Sequence, residues 1–186
     1  DDSACNLSSL NLMKFAGAGG ELDVEAYRHA ADTMIVAQEI IVDNASYPTA
    51  RIAENSHNFR PLGLGYANLG ALIMSLGKPY DSDEGRAFAG AVTSLLTGYA
   101  YTASAEIAAT RGPFEEYAKN SASMMAVLGM HRDALTRVKH DQWISSLTRE
   151  AYQAWDNAIE AGQRFGFRNA QGTVLAPTGT IGFMMD

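Results

Sequence analysis

Long segments in which apolar residues recur at helical spacing constrain the fold of this chain most strongly. Between Asp23 and about Ser46 these residues form one stripe: Val24, Tyr27, Ala31, Met34, Ile35, Ile41 and Val42. Asp23 can cap the start of this helix, and Pro48 disfavours helix just before it. The pattern predicts a long helix with one buried face.

A second long helix is predicted to open at Asp81 and Glu84, which are spaced as a capping box, and to end at Gly112-Pro113. Its predicted inward residues are Phe88, Ala91, Val92, Leu95, Leu96 and Tyr99. Shorter helices are predicted for Tyr66 to Leu76 and near Ser123 to Val138. A last helix is predicted from a cap at Thr148 to Gly166, with Tyr152, Trp155, Ile159 and Phe165 inward.

Short apolar runs between the helices have the composition of buried strands. Leu7, Leu10 and Leu12 predict a short strand or buried extended segment within residues 4–15. Residues 172–176, closed by Pro177, predict another strand. The stretch from Arg60 to Gly65 is predicted to be a loop because glycine and proline punctuate it. Helices with buried strands between them predict an α/β architecture.

Composition narrows the class of protein. The net charge of −7, from 14 basic and 21 acidic residues, disfavours broad contact with nucleic acid. No apolar run reaches the roughly 18–20 residues that a membrane span needs, and the first residues lack a signal-peptide pattern. One cysteine builds no internal disulfide framework, which fits a reducing, cytoplasmic setting. Without an initiator methionine, we expect the chain to begin inside a longer polypeptide.

The turn at residues 176–182 is the clearest local candidate for a binding site. Its small residues let a ligand approach the backbone, and Gly179 can adopt conformations that other residues cannot. Thr178 and Thr180 supply hydroxyl groups, and successive backbone N–H groups can converge on an anion. A helix beginning after Thr180 would favour phosphate through its dipole. From spacing alone, an ordinary strand-to-helix turn is the more frequent explanation.

Cys5 is the only thiol in the chain. A lone cysteine is most often a small buried hydrophobe. Its neighbours Ser3, Asn6, Ser8 and Ser9 are more polar than a core strand needs, so a redox or catalytic thiol is the alternative. The four histidines lack metal-ligand spacing and no second cysteine supports a zinc site, so no metal site is predicted.

Three segments, taken together, resemble the adenosylcobalamin (vitamin B12)-dependent ribonucleotide reductases. They are Ser3-Ala4-Cys5-Asn6-Leu7-Ser8-Ser9-Leu10-Asn11-Leu12, Arg60-Pro61-Leu62-Gly63-Leu64-Gly65-Tyr66-Ala67-Asn68-Leu69-Gly70, and Arg168-Asn169-Ala170-Gln171 followed by Thr173-Val174-Leu175-Ala176-Pro177-Thr178-Gly179-Thr180-Ile181. Their order and separations agree with the family. The resemblance implies that residues 1–186 are a partial catalytic barrel domain. The family fold is a ten-stranded α/β barrel, mostly helical in this part.

The resemblance also implies a function: reduction of ribonucleotides to deoxyribonucleotides for DNA replication by thiyl-radical chemistry, with adenosylcobalamin as cofactor. By residue match, Cys5 is one of the two reducing cysteines, Thr178, Gly179, Thr180 and Ile181 form the loop that holds the substrate phosphates, and Asn6 and Leu7 are candidates for the ribose pocket. The implied partners are a ribonucleoside di- or triphosphate, a thioredoxin-type reductant and a second full chain in a homodimer. The residues that contact cobalamin are not identifiable in this sequence.

Several parts of the family pattern are not in this sequence. They are the Asn-x-Cys-x-Glu motif of the radical cysteine, the redox partner of Cys5, the C-terminal cysteine pair and the downstream half of the barrel. The resemblance therefore implies that this chain alone is inactive. Two alternatives stay open. One is the iron-dependent class of the same family, whose turn usually has a Pro-Ser-Glu-Thr-Ser form, and the other is a non-catalytic helical interaction module.

Overall fold

The structure is a computed structural model that describes residues 2–17, 21–139, 142–177 and 179–185. Its main elements are β1 (Asn6–Asn11), α1 (Val24–Asn44), α2 (Ala50–Phe59), β2 (Leu62–Ala67), α3 (Leu69–Ser75), α4 (Asp83–Arg111), α5 (Tyr117–Ala134) and α6 (Ser145–Phe165). Short 3-10 helices cover Leu12–Phe15, Leu135–Arg137, Gln142–Ile144 and Thr180–Met184. No helix within the described ranges is long and apolar enough to cross a membrane.

Helix α1 confirms the predicted cap and most of the predicted stripe. The Asp23 side chain accepts a hydrogen bond from the backbone N–H of Ala26 at 3.0 Å. The predicted residues that are fully buried are Tyr27, Ala31, Ile35 and Val42. Ile41 was wrongly predicted, because 46% of its surface is exposed. Gln38 and Glu39 are buried on this helix instead, since both bind groups on other elements.

Helix α4 confirms the predicted core face and C-terminal stop but not the predicted cap. The six predicted inward residues are all buried: Phe88, Ala91, Val92, Leu95, Leu96 and Tyr99. Gly112 ends the helix with a positive φ of 80°. The cap is Ser82, whose hydroxyl accepts the N–H of Gly85 at 2.9 Å. Asp81 pairs with the exposed Arg86 instead, so the predicted capping box is wrong.

The starts of the other helices differ from the prediction. Helix α6 begins at Ser145, and Thr148 lies in its first turn as a buried residue that donates to the carbonyl of Ile144. Trp155 faces inward as predicted, whereas Phe165 is 38% exposed. Helices α3 and α5 both exist, but α3 begins three residues later than predicted and α5 six residues earlier. Helix starts without a side-chain cap, such as that of α5, leave no local sequence signal.

The sheet in the described residues is small and parallel. Asn6 lies opposite Leu62, and Asn11 opposite Ala67. The predicted loop at residues 60–65 is wrong from Leu62 onward: Leu62 and Leu64 are fully buried on one face, and glycines alternate with them on the other. Residues 171–174 run beside β2, where the N–H of Val174 donates to the carbonyl of Leu64 at 3.0 Å.

The third strand predicted at residues 172–176 is reduced to this short pairing, with one parallel bridge between Leu64 and Thr173. The fold is therefore mostly helical, with helices packed on a parallel sheet. This confirms the predicted α/β class. The described residues show no ten-stranded barrel.

Helices α4 and α6 pack closely because Gly98 has no side chain. A Cβ atom at Gly98 would lie 2.8 Å from the Cβ of Ala154 and 3.2 Å from the backbone nitrogen of Trp155. We expect Gly98→Val to lower the free energy of unfolding by about 1–3 kcal/mol, because an overpacked core must shift its backbone. Gly129 on α5 is the matched control, since a Cβ there meets nothing within 4 Å.

Urea denaturation of the two variants measures this difference. Gly129→Val should change the free energy of unfolding by no more than about 0.5 kcal/mol, through helix propensity alone. Equal effects of the two substitutions would show that the contact between α4 and α6 does not require glycine.

Candidate functional site

Cys5 lies directly before β1 with its side chain exposed. Side chains alternate along an extended chain, so Cys5 shares a face with Leu7, which is 61% exposed. This exposure does not fit the alternative of a small buried hydrophobe. The sheet therefore presents the thiol on the face that the helices leave open.

Asn6 faces the other way, toward α1. Its side-chain nitrogen donates to the carbonyl of Gln38 at 3.1 Å, and its own carbonyl accepts from the Gln38 side chain at 2.7 Å. The structure thus brings Leu7, but not the side chain of Asn6, to the face that carries Cys5. A role of Asn6 at a ribose would run through its backbone.

Two glycines leave the same face of β2 without side chains. A Cβ at Gly63 would lie 2.5 Å from Leu7 and 2.7 Å from Val174. A Cβ at Gly65 would collide with the carbonyl oxygen of Val174. Because both glycines lack a side chain, β1 can pack against one edge of β2 and the segment around Val174 against the other. The first of these carries Cys5 at its start, and the second leads to the candidate phosphate loop. Sequence reasoning treated these glycines as loop punctuation and missed this function.

The candidate phosphate loop follows Pro177. Thr178 lies outside the described residues. Gly179 and Thr180 are exposed, and Ile181 is half-buried. The helix considered after Thr180 is present only as a short 3-10 helix that spans Thr180–Met184. A Cβ atom at Gly179 meets nothing within 4 Å.

Two asparagines tie the end of this loop to the sheet. The side chains of Asn11 and Asn68 both donate to the carbonyl of Met185, at 3.2 and 2.6 Å. The Asn68 side chain also donates to that of Asn11 at 2.9 Å. Asn11 ends β1 and Asn68 follows β2, so the loop lies at the carboxyl ends of the parallel strands, where α/β sheets commonly bind ligands.

Sequence reasoning missed both asparagines. Both lie in segments that carry the family resemblance, but neither was assigned a function. Asn68 has a positive φ of 66°, a conformation that asparagine tolerates well. Cys5 and the loop thus lie toward opposite ends of one exposed sheet. Nothing in the local sequence pattern indicates that Asn11 would contact residue 185.

A buried polar network, which we call the Glu39 network, holds the helices beneath the sheet. One carboxylate oxygen of Glu39 accepts from Arg60 at 2.6 Å and from Arg168 at 2.7 Å. The other accepts from the fully buried Asn169 at 2.6 Å. Arg60 also donates two hydrogen bonds to Asp43, which hold the pKa of that carboxyl below its usual value.

The Glu39 network fixes the segment that leads to the phosphate loop against the elements that surround Cys5. Arg60 lies in the turn between α2 and β2 with a positive φ of 49°. Asn169 donates to the carbonyl of Arg60 at 3.0 Å, and its side-chain oxygen accepts from the buried Ser104 of α4. The network therefore joins α1, the turn before β2, α4 and residues 168–169.

A cavity of about 740 Å³ lies on the far side of the segment 171–175, against α4 and α6. Three hydrogen bonds occupy polar groups of its lining: Tyr66 with Thr93, Thr97 with Thr173, and Trp155 to Ser94. Its volume is that of a site for a small organic ligand. The described part of the chain contains no cluster of histidine, cysteine, aspartate and glutamate that could hold a metal ion.

Comparison with known proteins assigns the chain to a class. The family model described as "Ribonucleotide reductase, barrel domain" matches residues 1–186. The chain therefore belongs to the ribonucleotide reductase barrel family.

Several similar proteins are named vitamin B12-dependent ribonucleotide reductase. The protein of that name from Rhodopirellula baltica is 55% identical over the whole chain, which covers 18% of that protein. The one from Agrobacterium fabrum is 46% identical, again over the whole chain, which covers 16% of it. The Chlamydia pneumoniae protein named ribonucleoside-diphosphate reductase subunit alpha is 25% identical over 97% of the chain, which covers 17% of it. The chain thus spans less than a fifth of these relatives.

Proposed function

We propose that the protein containing this chain reduces ribonucleotides to deoxyribonucleotides and uses adenosylcobalamin. Family membership over all 186 residues supports the reaction. The 55% and 46% identity to relatives named for vitamin B12 supports the cobalamin class. The observation that carries the proposal is the exposed Cys5 on the same open sheet to which the loop at residues 179–185 is tied.

In this proposal Cys5 is a reductant of the ribose. Its thiol and that of a second cysteine, which this chain does not contain, lose two electrons and form a disulfide. The two electrons replace the 2′-hydroxyl by hydrogen, and the hydroxyl leaves as water. A thioredoxin-type dithiol then returns the disulfide to two thiols. Exposure of Cys5 allows both the substrate and this exchange partner to reach the sulfur.

Adenosylcobalamin, when bound, would supply the radical that starts the reaction. The cavity of about 740 Å³ has the volume of a site for a small organic ligand, and three hydrogen bonds within its lining occupy polar groups there. We therefore assign no residue of this chain to the cofactor. The contribution of this chain is to hold the reducing thiol and the substrate.

The loop at residues 178–181 would hold the substrate phosphates. The first N–H groups of the helix beginning at Thr180 have no helical partner, and they and the Thr180 hydroxyl can donate to phosphate oxygens. Holding the phosphates at the carboxyl ends of the strands would orient the ribose along the sheet toward Cys5. Leu7 would then pack beside the ribose.

We expect Gly179→Ala to raise the KM for the ribonucleotide by about tenfold, because a methyl group would occupy space that the phosphates need. The Cβ atom meets no protein atom within 4 Å, so the fold should tolerate it. Steady-state kinetics measures the effect, with Gly129→Ala as a control in equally open space. An unchanged KM would exclude Gly179 from the phosphate site.

The further parts of the proposal concern the whole protein. It would be a cytoplasmic homodimer that takes a ribonucleoside di- or triphosphate, and the 186-residue chain alone would be inactive. A non-catalytic interaction module has no specific observation in its favour.

Spectroscopy of the full-length protein tests the proposed function. Adenosylcobalamin absorbs visible light through its cobalt–carbon bond, and we expect this absorption to fall only when a ribonucleotide is added. A protein that reduces ribonucleotides without added cobalamin would belong to another class. One that gives no deoxyribonucleotide under either condition would contradict the proposal.

A further inference from the structure

We propose that Gln38 and Ser56 are positioning residues that fix the Cys5 thiol for disulfide formation. The inference rests on the proposed redox function of Cys5. Neither residue belongs to the three segments that carry the family resemblance.

The Ser56 hydroxyl accepts from the backbone before Cys5, and the Gln38 side chain donates to the backbone after it. The N–H of Ala4 donates to the hydroxyl of Ser56 at 3.0 Å. The carbonyl of Asn6 accepts from the Gln38 side chain at 2.7 Å, and the Asn6 side chain donates to the Gln38 carbonyl at 3.1 Å. Cys5 is therefore an exposed residue between two anchored neighbours.

The anchors themselves are buried and belong to two different helices. Ser56 lies in α2 with 0% exposure, and Gln38 lies in α1 with 2% exposure. Buried side chains have little freedom to move, so they transmit the position of the helices to the backbone around the thiol. The pairing of β1 with β2 begins only at Asn6, so the sheet alone does not hold Ala4 and Cys5.

Stability alone does not explain a glutamine at position 38. This position continues the buried stripe of α1 formed by Ala31, Ile35 and Val42, where an apolar side chain would pack. The side-chain oxygen of Gln38 is buried and has no hydrogen-bond partner among the described atoms. Burying an unpaired acceptor lowers stability. Of the two bonds between these residues, only the donation from the Gln38 side chain to the Asn6 carbonyl requires glutamine, because the other accepts at the Gln38 backbone.

The chemistry of Cys5 explains why position matters. A disulfide forms only when the two sulfur atoms can approach to about 2.05 Å with a restricted dihedral angle. Displacement of a reacting group by about 1 Å can lower a rate by about 10²-fold. Two anchored neighbours restrict the sulfur to the rotamers of one side chain.

Single-turnover kinetics of the full-length reductase tests the proposal. Enzyme that has been pre-reduced and freed of external reductant forms deoxyribonucleotide only until its cysteines are oxidised. The rate of the first turnover per site measures this oxidation step. We expect Gln38→Met, which keeps the length but removes the donor to Asn6, to slow this step by about ten- to a hundredfold. Ser56→Ala should slow it as well, whereas Ser56→Thr keeps the hydroxyl and should restore the rate.

Two further readouts separate positioning from general damage. The KM for the ribonucleotide and the nucleotide-dependent loss of cobalt–carbon absorption should both stay within about twofold of the parent protein. Thr148→Val is the matched control, because Thr148 is buried to a similar extent and donates to the carbonyl of Ile144, directly before its own helix. This control should leave the single-turnover rate unchanged.

The proposal is overturned if either Gln38→Met or Ser56→Ala reacts within about twofold of the parent, or if Thr148→Val slows the step as much. If Gln38→Met does not fold, the comparison of Ser56→Ala with Ser56→Thr decides alone. Cys5→Ser distinguishes a failure of the proposed redox function from a failure of the positioning function alone. Normal turnover of Cys5→Ser would refute the proposed function, whereas an inactive Cys5→Ser beside a fully active Gln38→Met would refute only the positioning function.

Discussion

Replacing Cys5 by serine in the full-length protein should lower steady-state ribonucleotide reduction by at least about 10³-fold. Cys5 and its partner cysteine act as a unit, so removal of one thiol disables both. A hydroxyl cannot form the disulfide that supplies the two electrons. The side chain is exposed and serine has nearly the same size, so the fold should be unaffected. Product formation with a dithiol reductant measures the loss.

Nucleotide binding provides the control for this experiment. The loop at residues 179–185 is anchored by Asn11 and Asn68 rather than by Cys5, so Cys5→Ser should bind the ribonucleotide with unchanged affinity. Equilibrium dialysis measures that affinity. If Cys5→Ser reduces ribonucleotides at the parent rate, Cys5 has no redox function and the interaction-module alternative gains support.

Replacing Glu39 by alanine should lower the free energy of unfolding by about 3–5 kcal/mol, because it leaves the buried Arg60 and the half-buried Arg168 without their shared carboxylate. Glu39 has 9% side-chain exposure, and its partners Arg60 and Arg168 have 6% and 15%. The Asn169 side chain would also lose its acceptor. Urea denaturation followed by circular dichroism measures the change.

An exposed ion pair provides the comparison for Glu39. Asp81 accepts from Arg86 at 2.6 Å, but 95% of its side chain is exposed, and exposed pairs contribute little to stability. Asp81→Asn should therefore barely change the denaturation midpoint. Similar midpoints for Glu39→Ala and Asp81→Asn would show that the Glu39 network is not what joins α1, the turn before β2 and α4.

The long helices could be predicted from sequence because their signals are local. The stripe of α4 is an uninterrupted run of apolar residues at helical spacing, and every member is buried. The stop at Gly112-Pro113 depends only on the residues present there. Strand β2 could not be predicted in the same way, because glycine at positions 63 and 65 normally marks a turn. Here close approach of Leu7 and Val174 from two neighbouring segments requires it.

The hydrophobic periodicity failed mainly at buried polar residues, which it did not predict. Glu39 and Gln38 lie on a helix face where hydrophobic periodicity expects apolar side chains. Their partners lie far away in sequence: Asn169 is 130 residues from Glu39, and Asn6 is 32 residues from Gln38. No local rule pairs such residues, so tertiary contacts alone reveal the network and the anchors of Cys5.

The candidate site was predictable only in its chemistry. The family resemblance selected Cys5 and the turn at residues 178–181, and spacing alone favoured an ordinary turn. Neither indicated that Asn11 and Asn68 tie the loop to the strand ends, or that the side chain of Asn6 faces away from Cys5. These facts depend on strand alternation and register, which the structure supplies.

A crystal structure of the full-length protein with a bound ribonucleotide measures most directly whether one substrate joins the two ends of this sheet. We predict that its phosphate oxygens accept hydrogen bonds from residues 178–181 and that the Cys5 sulfur lies within about 4 Å of the ribose C2′ atom. Phosphates bound elsewhere, or a ribose that Cys5 cannot reach while the phosphates occupy this loop, would contradict the account.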